Sequence, residues 1–594
     1  MKQIHITGLI LFFIGFGLWL GSFFMSTYTV TQSVIEAIYQ KDGKTNLDKV
    51  DIFKANANGL IDQSYNSNFQ LINDLKTTIR SSNEAIKSRF ILSPTEINQI
   101  ATSLNYPATF KLEEVRYMIS SSDKFSNLKE YGNWLDGREY EKIENLKDNL
   151  NLVADNIEKY GLSKSGFSES KEQLFALVKA SERGPIHNRA SLWLLLTYGL
   201  TIIGALMYLL PKLRLDGLAG IKNNGIFFNA LKNRGWIGIL LGSFLIVFYI
   251  MLYFFPQYMT SWVSMVDPIS QFLKGNEANQ FFLYGFIYTL CILVMGFRMI
   301  IKYRHSKYQI LRTISVMFFQ TAFAFIIPEI MLRLNQPYFD FKNIWPLNYS
   351  FFFDSNLNQL INEGTLGIFM LVWGIALIIV AVPFITYFFG KRWYCSWVCG
   401  CGGLAETMGD PYRQLSDKSL NAWKIERWMI HGVLAFAVIM TAGVLYTFFT
   451  ESASLLGVNT YQVRSIYGAW IGAGFAGVVG TGFYPIMGNR VWCRFGCPLA
   501  AYLGIVQRFK SKFRITTNGG QCISCGNCST YCEMGIDVRW YAQRGQNIVR
   551  SSCVGCGVCS SVCPRGVLNL ENSGEDGRIN QPVLIGNDSI TIKS

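Results

Sequence analysis

Charged residues are scarce in this 594-residue sequence, in which Asp, Glu, Lys and Arg together make up 16%. Soluble globular proteins average about 25% charged residues, whereas half of this chain is hydrophobic. Intrinsic disorder is excluded, because disordered chains combine low hydrophobicity with high charge, and an ordinary soluble enzyme is disfavoured. The net charge of +14 would indicate nucleic-acid binding in a soluble protein. In an apolar chain it indicates Lys and Arg on the cytoplasmic side of a membrane, so no nucleic-acid partner is expected.

Cysteine and histidine are missing from most of the chain. None of the 14 cysteines precedes Cys291, and 13 of them lie between Cys395 and Cys563, so redox or metal chemistry is expected only in the last third. There are four histidines, namely His5, His187, His305 and His431. A haem held across a membrane normally needs paired axial ligands. Because His305 and His431 both lie near the ends of apolar segments, haem is not expected.

Long apolar segments are frequent. A transmembrane helix needs about 17–25 mostly apolar residues, and eight segments qualify, namely 6–28, 190–210, 236–255, 281–301, 313–334, 366–389, 428–449 and 468–488. The first is longer than the apolar region of a usual signal peptide and has no clear small-x-small cleavage site after it, so it is predicted to be a retained signal anchor. The pattern predicts a mainly α, polytopic membrane helix bundle with about eight spans.

The distribution of basic residues predicts the orientation. Lys and Arg cluster in the loops that follow the second, fourth, sixth and eighth apolar segments. The short loops on the opposite side, 256–280, 335–365 and 450–467, contain only three basic residues, Lys274, Lys342 and Arg464. Because positive residues mark the cytoplasmic side, both termini are predicted to be cytoplasmic, in the inner membrane of a bacterium. Residues 29–189 are then extracytoplasmic.

The segment 29–189 is polar, rich in Asn and Ser, and free of cysteine. Apolar residues recur in it at helical intervals, as in Leu146, Leu150, Val153 and Ile157. An α-helical extracytoplasmic domain is therefore predicted. A docking or spacer domain is favoured over a ligand-binding domain, because the sequence does not indicate what the segment binds.

Two cysteine runs near the C-terminus share the spacing C-x2-C-x2-C-x3-C. This spacing is typical of bacterial two-cluster ferredoxins, in which the fourth cysteine of each run binds the other cluster. One [4Fe–4S] cluster is therefore predicted at Cys522, Cys525, Cys528 and Cys563. The second [4Fe–4S] cluster is predicted at Cys553, Cys556, Cys559 and Cys532.

The alternatives to iron–sulfur clusters are weaker. Zinc is disfavoured because its sites usually pair two C-x2–4-C or His motifs in a closed tetrahedron, and disulfides are disfavoured in a reducing cytosol. Pro564 follows the second run, as expected, but Glu533 stands where a proline usually follows the first. The carboxylate of Glu533 is expected to lower the reduction potential of the adjacent cluster.

A second cysteine pattern is duplicated. The pattern G-x-R-x-aromatic-C-x-aromatic-x-C occurs at 390–399 and at 488–497, each time after an apolar segment that ends on the same side. If each pair lies on one helical turn, its i and i+4 positions share a face, and two-fold pseudo-symmetry would bring together Cys395, Cys399, Cys493 and Cys497. Four converging thiolates would suit iron or an additional iron–sulfur centre. Free thiols at the membrane interface are the alternative, and the role of Cys401, which has no counterpart in the second copy, is open.

These features together resemble the NosR/NapH-type membrane polyferredoxins. The resemblance covers about residues 285–570 and rests on the double cysteine run and on Cys493-x3-Cys497-Pro498; the first copy has Gly400 in place of the proline. It implies electron transfer between the quinone pool or the cytoplasm and a partner in anaerobic respiration or metalloenzyme maturation. Some members carry an outer flavin domain with FMN on the threonine of an S-G-A-T-like motif. Residues 29–189 have no such motif, so no FMN is expected.

The sequence thus predicts five segments: a signal-anchor helix at 1–28, an extracytoplasmic α-helical domain at 29–189, a membrane core with seven further spans at 190–510, a cytoplasmic α+β two-cluster ferredoxin domain at 511–575, and a tail at 576–594. The predicted function is to pass single electrons between the clusters and a membrane carrier, for which a quinone is one candidate, or redox partner proteins on either side of the lipid membrane. An electron-transfer component is expected rather than a stand-alone enzyme. The alternative is a redox sensor or assembly factor that uses the clusters as a sensing element.

Overall fold

The computed structural model describes residues 2–41, 44–45, 47–57, 59–158, 167–215, 217–220, 234–450, 454–455, 457–572, 584–585 and 590–591. The predicted tail at 576–594 lies outside these residues except for the strands Leu584–Ile585 and Ile590–Thr591. The chain divides into two compact units. We call them the membrane unit, which contains Met1–Leu20, Ala190–Phe254 and Met265–Ser594, and the polar unit, which contains Gly21–Arg189 and Phe255–Ser264.

Seven helices in the described part of the chain are long and apolar enough to cross a membrane. They are Gln3–Ser22, Ala190–Leu215, Trp236–Phe254, Gln280–Lys302, Lys307–Arg333, Gly364–Phe389 and Leu420–Thr450. Their 19 to 31 residues correspond to about 28–46 Å of helix, which is close to or longer than the roughly 30 Å of hydrocarbon in a bilayer. They coincide with seven of the eight predicted segments and confirm the mainly α-helical membrane fold. The chain is a membrane protein.

The eighth predicted segment, 468–488, has a different structure. The chain forms the helix Thr460–Tyr467, continues as a π-helix over Gly468–Val479, and ends in the short helices Gly480–Gly482 and Tyr484–Met487. Glycine occupies many positions along it where the other spans have large apolar residues. This composition explains why the segment is not one of the seven helices.

Shorter helices connect the spans of the membrane unit. They are Asp267–Lys274, Asp354–Asn362, Arg392–Cys395, Gly400–Thr407, Asp410–Leu415, Trp492–Gly496 and Pro498–Lys510, and a hairpin pairs Ser454–Leu455 with Val458–Asn459. Residues 334–353, all of which are described, form turns without a helix or a strand. This segment was predicted as part of an outer loop, and its position is important for the candidate site below.

The C-terminal part of the membrane unit combines strands with short helices, as predicted for a ferredoxin-like α+β region. The antiparallel strands Phe513–Thr517 and Leu568–Asn572 pair Phe513 with Asn572 and Thr517 with Leu568. The helices Asn527–Thr530, Val538–Gln543 and Val558–Ser561 lie between them in the chain. The first strand is buried along its whole length. The strand pair therefore closes around the two cysteine runs and holds them in one small body.

The polar unit is mainly helical, as predicted. Its helices are Gln32–Ile38, Leu47–Asn56, Asn68–Phe90, Pro94–Thr102, Leu112–Val115, Ser122–Gly132, Ile143–Asn156, Lys171–Ala180, Pro185–Asn188 and Thr260–Ser264. Four of these helices start after a serine whose hydroxyl accepts a hydrogen bond from a first-turn N–H, which is the preferred way to begin a helix; the serines are Ser67, Ser93, Ser121 and Ser170.

Two packing features complete the polar unit. An antiparallel sheet of three short strands has the order Ser64–Tyr65, Thr27–Thr29, Glu182–Arg183. The apolar stripe recognised in the sequence, Leu146, Leu150, Val153 and Ile157, is buried. The helical spacing thus places one apolar face in the core, as the sequence pattern predicts.

Candidate functional site

One pocket in the C-terminal region is lined by Cys522, Cys525, Cys528 and Cys563, and we call it the Cys522 pocket. Gly526 precedes the helix Asn527–Thr530 with a φ of 80°, a left-handed conformation that favours glycine. This turn lets three thiols of the first run face one space. The fourth thiol comes from the second run, so the structure brings together all four cysteines predicted for one cluster.

A second pocket has the same construction. It is lined by Cys532, Cys553, Cys556 and Cys559, and we call it the Cys532 pocket. Gly557 precedes the helix Val558–Ser561 with a φ of 73°, and here the crossing thiol comes from the first run. The two helices that follow these turns contact each other. The two runs therefore repeat one local structure, and each supplies the fourth thiol of the other pocket.

The thiols of the Cys532 pocket are shielded from water and surrounded by backbone donors. The N–H groups of Met534 and Ile536 donate to the sulfur of Cys532. Burial raises the pKa of Cys556 to about 12 and that of Cys553 to about 11. Buried thiols of this kind become thiolates only beside a positive charge, which a bound metal centre supplies. Hydrogen bonds to sulfur are also a means of tuning the potential of such a centre.

The duplicated motif forms a third pocket, which we call the thiol pocket. It is lined by Cys395, Cys399, Cys401, Cys493 and Cys497, together with Tyr394, Trp492, Leu499 and Ala500. The structure thus brings together the four cysteines predicted from the duplication and adds a fifth, Cys401. Trp492 is buried, and its indole nitrogen has no hydrogen-bond partner in the described part of the chain. Five sulfurs and one free N–H donor fit a sulfur-rich metal centre.

The sequence argument for a shared face depended on each cysteine pair lying on one helical turn. In the structure neither pair does. Cys395 ends the short helix Arg392–Cys395, and Cys399 is the N-cap of the next helix, Gly400–Thr407. In the second copy Cys497 is the N-cap of Pro498–Lys510 and its sulfur accepts the N–H of Ala500 at 3.4 Å. Each pair therefore straddles a break between helices. The second cysteine of each copy lies at a helix N-terminus.

Gly400, which lies between the pocket residues Cys399 and Cys401, packs among the spans. Gly400 packs so closely that a β-carbon there would lie 2.7 Å from Gln320 Oε1 and 3.8 Å from the Tyr288 ring. Gln320 is the middle residue of Lys307–Arg333. Tyr288 is eight residues, about 12 Å, from the start of Gln280–Lys302 and 14 residues, about 21 Å, from its end. The end of the first motif copy therefore packs against two other spans.

The segment 334–353 also contacts the wall of the thiol pocket. The hydroxyl of Tyr394, a residue that lines the pocket, donates to the carbonyl of Lys342 at 2.9 Å. The ammonium of Lys342 lies 3.2 Å from Asp340 and 3.7 Å from the position of a β-carbon on Gly400. Loop 335–365 is therefore not purely a surface loop. The sequence signal for this arrangement was weak: Lys342 is one of three basic residues in loops that otherwise have none.

Buried charges connect the spans with the C-terminal region. We call them the charge network; its cations are Arg298, Lys302, Arg312, Arg413 and Arg490, and its carboxylates are Glu406, Asp410 and Glu533. All eight side chains are buried. Five cations against three carboxylates leave two positive charges in excess. This excess favours negatively charged groups, such as thiolate-bound clusters, nearby.

Glu533 is central to the charge network. Its carboxylate lies 2.7 Å from Arg413 Nη1 and 3.1 Å from Arg490 Nε, and it accepts a hydrogen bond from Asn489 at 3.1 Å. Burial by itself would raise its pKa, but Arg413, Arg490 and Arg312 hold the pKa below its ordinary value. Glu533 is therefore an ion-paired carboxylate and not the isolated negative charge expected from the sequence. Its expected lowering of the cluster potential is opposed by these guanidinium groups.

The number of thiols in the two ferredoxin-type pockets matches the ligand number of a [4Fe–4S] cluster. Four cysteines line each of the Cys522 and Cys532 pockets, and such a cluster is held by four Cys thiolates. The structure describes all 14 cysteines, and none forms a disulfide. Among the described residues, no three His, Cys, Asp or Glu side chains converge closely enough to hold one metal ion.

Two known domain families match this part of the chain. The 4Fe-4S binding domain matches residues 372–419 and 468–516, which contain the two copies of the duplicated motif. The 4Fe-4S dicluster domain matches residues 521–568, which contain both cysteine runs. The chain therefore contains 4Fe-4S domains together with helices that are long and apolar enough to cross a membrane.

Two curated proteins are similar to this chain. It is 28% identical over 159 residues to the protein described as "Putative electron transport protein YccM" of Escherichia coli (strain K12), which corresponds to 25% of this chain and 43% of that protein. It is 27% identical over 146 residues to the methylamine utilization ferredoxin-type protein MauN of Paracoccus denitrificans (strain Pd 1222), which corresponds to 24% of this chain and 48% of that protein. The chain thus spans less than half the length of these curated relatives, and no solved structure matches it. Neither relative separates the NosR/NapH type from other polyferredoxins, so that assignment stays a prediction.

Proposed function

We propose that this chain is a membrane polyferredoxin that transfers single electrons between two clusters in its C-terminal region and a carrier or partner that reaches its membrane unit. The three thiol-lined pockets within one unit are the observation that carries the proposal. Cys522, Cys525, Cys528 and Cys563 would hold one [4Fe–4S] cluster, Cys532, Cys553, Cys556 and Cys559 a second, and Cys395, Cys399, Cys493 and Cys497 an additional centre. When bound, iron–sulfur clusters supply one-electron chemistry at potentials set by their surroundings.

The walls of the Cys532 pocket and the thiol pocket are joined directly. Ser396, next to Cys395, donates its hydroxyl to the carbonyl of Val554 at 2.8 Å, and Val554 lines the Cys532 pocket. Arg490 donates to the Cys395 carbonyl at 3.2 Å and lies 3.5 Å from the sulfur of Cys493, while it also pairs with Glu533. These contacts keep the two pockets at a fixed separation. A fixed, short separation supports electron transfer, whose rate falls steeply with distance.

The position of the thiol pocket bears on how electrons would cross the membrane. If the termini and cysteine runs are cytoplasmic and residues 29–189 extracytoplasmic in a bacterial inner membrane, as the basic residues indicate, the thiol pocket adjoins the cytoplasmic Cys532 pocket through Ser396 and Arg490. A quinone or a partner protein would then accept electrons from the thiol pocket or supply them to it.

The proposal is tested with anaerobically purified protein in liposomes. We expect that chemically reduced protein oxidises when a quinone is added, and that the quinone absorbance changes in step. A variant with Cys395, Cys399, Cys493 and Cys497 changed to Ser is expected to lose this turnover, whereas Cys291→Ser, a cysteine outside the three pockets, should retain it. Protein with intact clusters that shows no turnover with any quinone or soluble redox dye would contradict electron transfer and favour a redox sensor.

A smaller effect is expected for Trp492→Phe. The free indole N–H of Trp492 is the unpaired donor in the wall of the thiol pocket, and donors near a cluster stabilise its more negative, reduced form. Loss of one hydrogen bond worth about 1 kcal/mol lowers the reduction potential by about 40 mV. This follows because the potential of a one-electron couple changes by about 59 mV for each tenfold change in its equilibrium constant. Potentiometry followed by EPR measures the shift. The exposed Trp470 is the matched site for a Trp→Phe control, and equal potentials in the two variants would refute the assignment.

A further inference from the structure

A fourth pocket of the membrane unit differs from the other three in its lining. It lies between the helices Leu420–Thr450 and Pro498–Lys510. Its charged and polar lining consists of Lys391, Glu426, Arg427, His431, Arg494, Arg508, Ser551 and Ser552. Its apolar lining includes Trp423, Ile430, Ala500, Ala501 and Met534. We call it the basic pocket.

The basic pocket has an excess of positive charge. Arg494 and Glu426 pair at 2.7 Å and cancel each other. Lys391, Arg427 and Arg508 have no carboxylate partner among the residues that the structure describes. Lys391 is only 1% exposed, and its positive charge also acts on the thiols of Cys395 and Cys553. Three cations without a carboxylate partner around one space favour an anionic occupant.

The position of the basic pocket relates it to the membrane surface. The helix Leu420–Thr450 has 31 residues, about 46 Å, and is therefore longer than the roughly 30 Å of hydrocarbon. Its charged residues, Lys424, Glu426 and Arg427, all lie near its first turns. This end of the helix must project into the headgroup layer, where Trp423 and the exposed Trp428 are also favoured. The basic pocket therefore opens where phosphate groups of lipids are found.

We propose that the basic pocket binds a phosphate-bearing anion, either the headgroup of an acidic phospholipid or free phosphate. The cations Lys391, Arg427 and Arg508 would face the phosphate oxygens, and the hydroxyls of Ser551 and Ser552 would donate to them. Basic pockets beside membrane helices are established sites for acidic lipid headgroups. The small apolar residues of the lining leave room for the glycerol and upper acyl groups of a lipid.

The site also adjoins the thiol pocket, because Cys493 lines both spaces. An anion held there would add negative charge beside the proposed additional centre and lower its reduction potential. This consequence rests on the proposed electron-transfer function, whereas binding of the anion does not. Thermal unfolding tests only whether the anion binds, and potentiometry tests whether the bound anion changes the reduction potential. The two measurements therefore distinguish failure of the anion site from failure of the electron-transfer proposal.

The experiment uses the full chain, purified anaerobically in a neutral detergent, with its thermal unfolding midpoint as the readout. A ligand that binds the folded state raises the midpoint in a concentration-dependent way. Phosphatidylglycerol, phosphatidylcholine and inorganic phosphate are added separately. The test variant is Arg427→Gln combined with Arg508→Gln, because both side chains are exposed and their loss should not prevent folding. The control is Lys424→Gln, an exposed cation on the same helix that does not line the pocket.

We expect saturable stabilisation by phosphatidylglycerol in the unsubstituted chain and in Lys424→Gln, with no effect of phosphatidylcholine. The double variant should bind about fivefold more weakly for each cation removed, which is about 1 kcal/mol each. Equal stabilisation by inorganic phosphate would also support the site and identify free phosphate as its source. Absence of a saturable effect with either probe, or equal affinities of the double variant and Lys424→Gln, would overturn the proposal.

Discussion

Simultaneous replacement of Cys395, Cys399, Cys493 and Cys497 by Ser is expected to remove about four iron atoms per chain, from about twelve to about eight, if each of the three pockets holds a [4Fe–4S] cluster. The physical reason is that these thiols supply four of the five sulfurs that line the thiol pocket. The Cys522 and Cys532 pockets keep all their own thiols, so their EPR signals should persist. Iron and acid-labile sulfide per chain, with EPR of the reduced protein, measure the outcome.

The matched control for this variant is Cys291→Ser, because Cys291 lines none of the three thiol pockets. It should retain the full iron content. Iron content and spectra that are unchanged in the four-cysteine variant would show that the thiol pocket holds no cluster. Cys401→Ser by itself decides the role of the fifth thiol: loss of iron makes it a ligand, and retention of iron with a shifted potential makes it a neighbour of the centre.

Glu533→Gln is expected to destabilise the C-terminal region by about 3–5 kcal/mol, the usual result of breaking a buried ion pair. The substitution removes the carboxylate that Arg413 and Arg490 share and raises the positive excess of the charge network from two to three. It should also raise the reduction potential of the cluster held beside Cys532, because a neighbouring negative charge is lost. The first effect is measured as a lower denaturant midpoint for bleaching of the iron–sulfur absorbance, and the second by EPR potentiometry.

Two further variants distinguish loss of this ion pair from a general effect of substitution. Glu571 lies on the strand Leu568–Asn572 of the same region, accepts a hydrogen bond from Asn569 at 3.2 Å and is outside the charge network. Because the amide oxygen of Gln can still accept that hydrogen bond, Glu571→Gln should lower the midpoint much less than Glu533→Gln. Adding Arg413→Met to Glu533→Gln removes the unpaired buried cation and should recover part of the stability. A Glu533→Gln midpoint equal to that of Glu571→Gln would show that the charge network does not hold the C-terminal region in place.

The parts of the candidate site that could be predicted are those encoded by short spacings. Cys522, Cys525 and Cys528 lie within one tight turn, so their common pocket depends mainly on local backbone geometry. The crossing of Cys563 and Cys532 also follows from two copies of one short motif. The spans were predictable for a similar reason, because a helix in hydrocarbon needs about 20 consecutive apolar residues whatever its neighbours. The glycine-rich segment 468–488 departs from this pattern, and its structure differs accordingly.

The parts that could not be predicted depend on residues far apart in the chain. Gly400 packs against Gln320 and Tyr288, which belong to two different spans, and only the tertiary structure shows this packing beside the thiol pocket. The inclusion of Cys401 in the thiol pocket and the contact between Tyr394 and Lys342 are likewise seen only in the tertiary structure.

The sequence by itself determined the membrane helices, the separation of a cysteine-free polar segment from a cysteine-rich end, and the grouping of the eight cysteines of the double run. Each of these depends on composition or on spacings of a few residues. Only the tertiary structure decided the inclusion of Cys401 in the thiol pocket, the pairing of Glu533 within the charge network, and the assembly of the basic pocket. Each of these is a property of helices that meet in space, and the charge of a buried residue is set by the partners that packing brings to it.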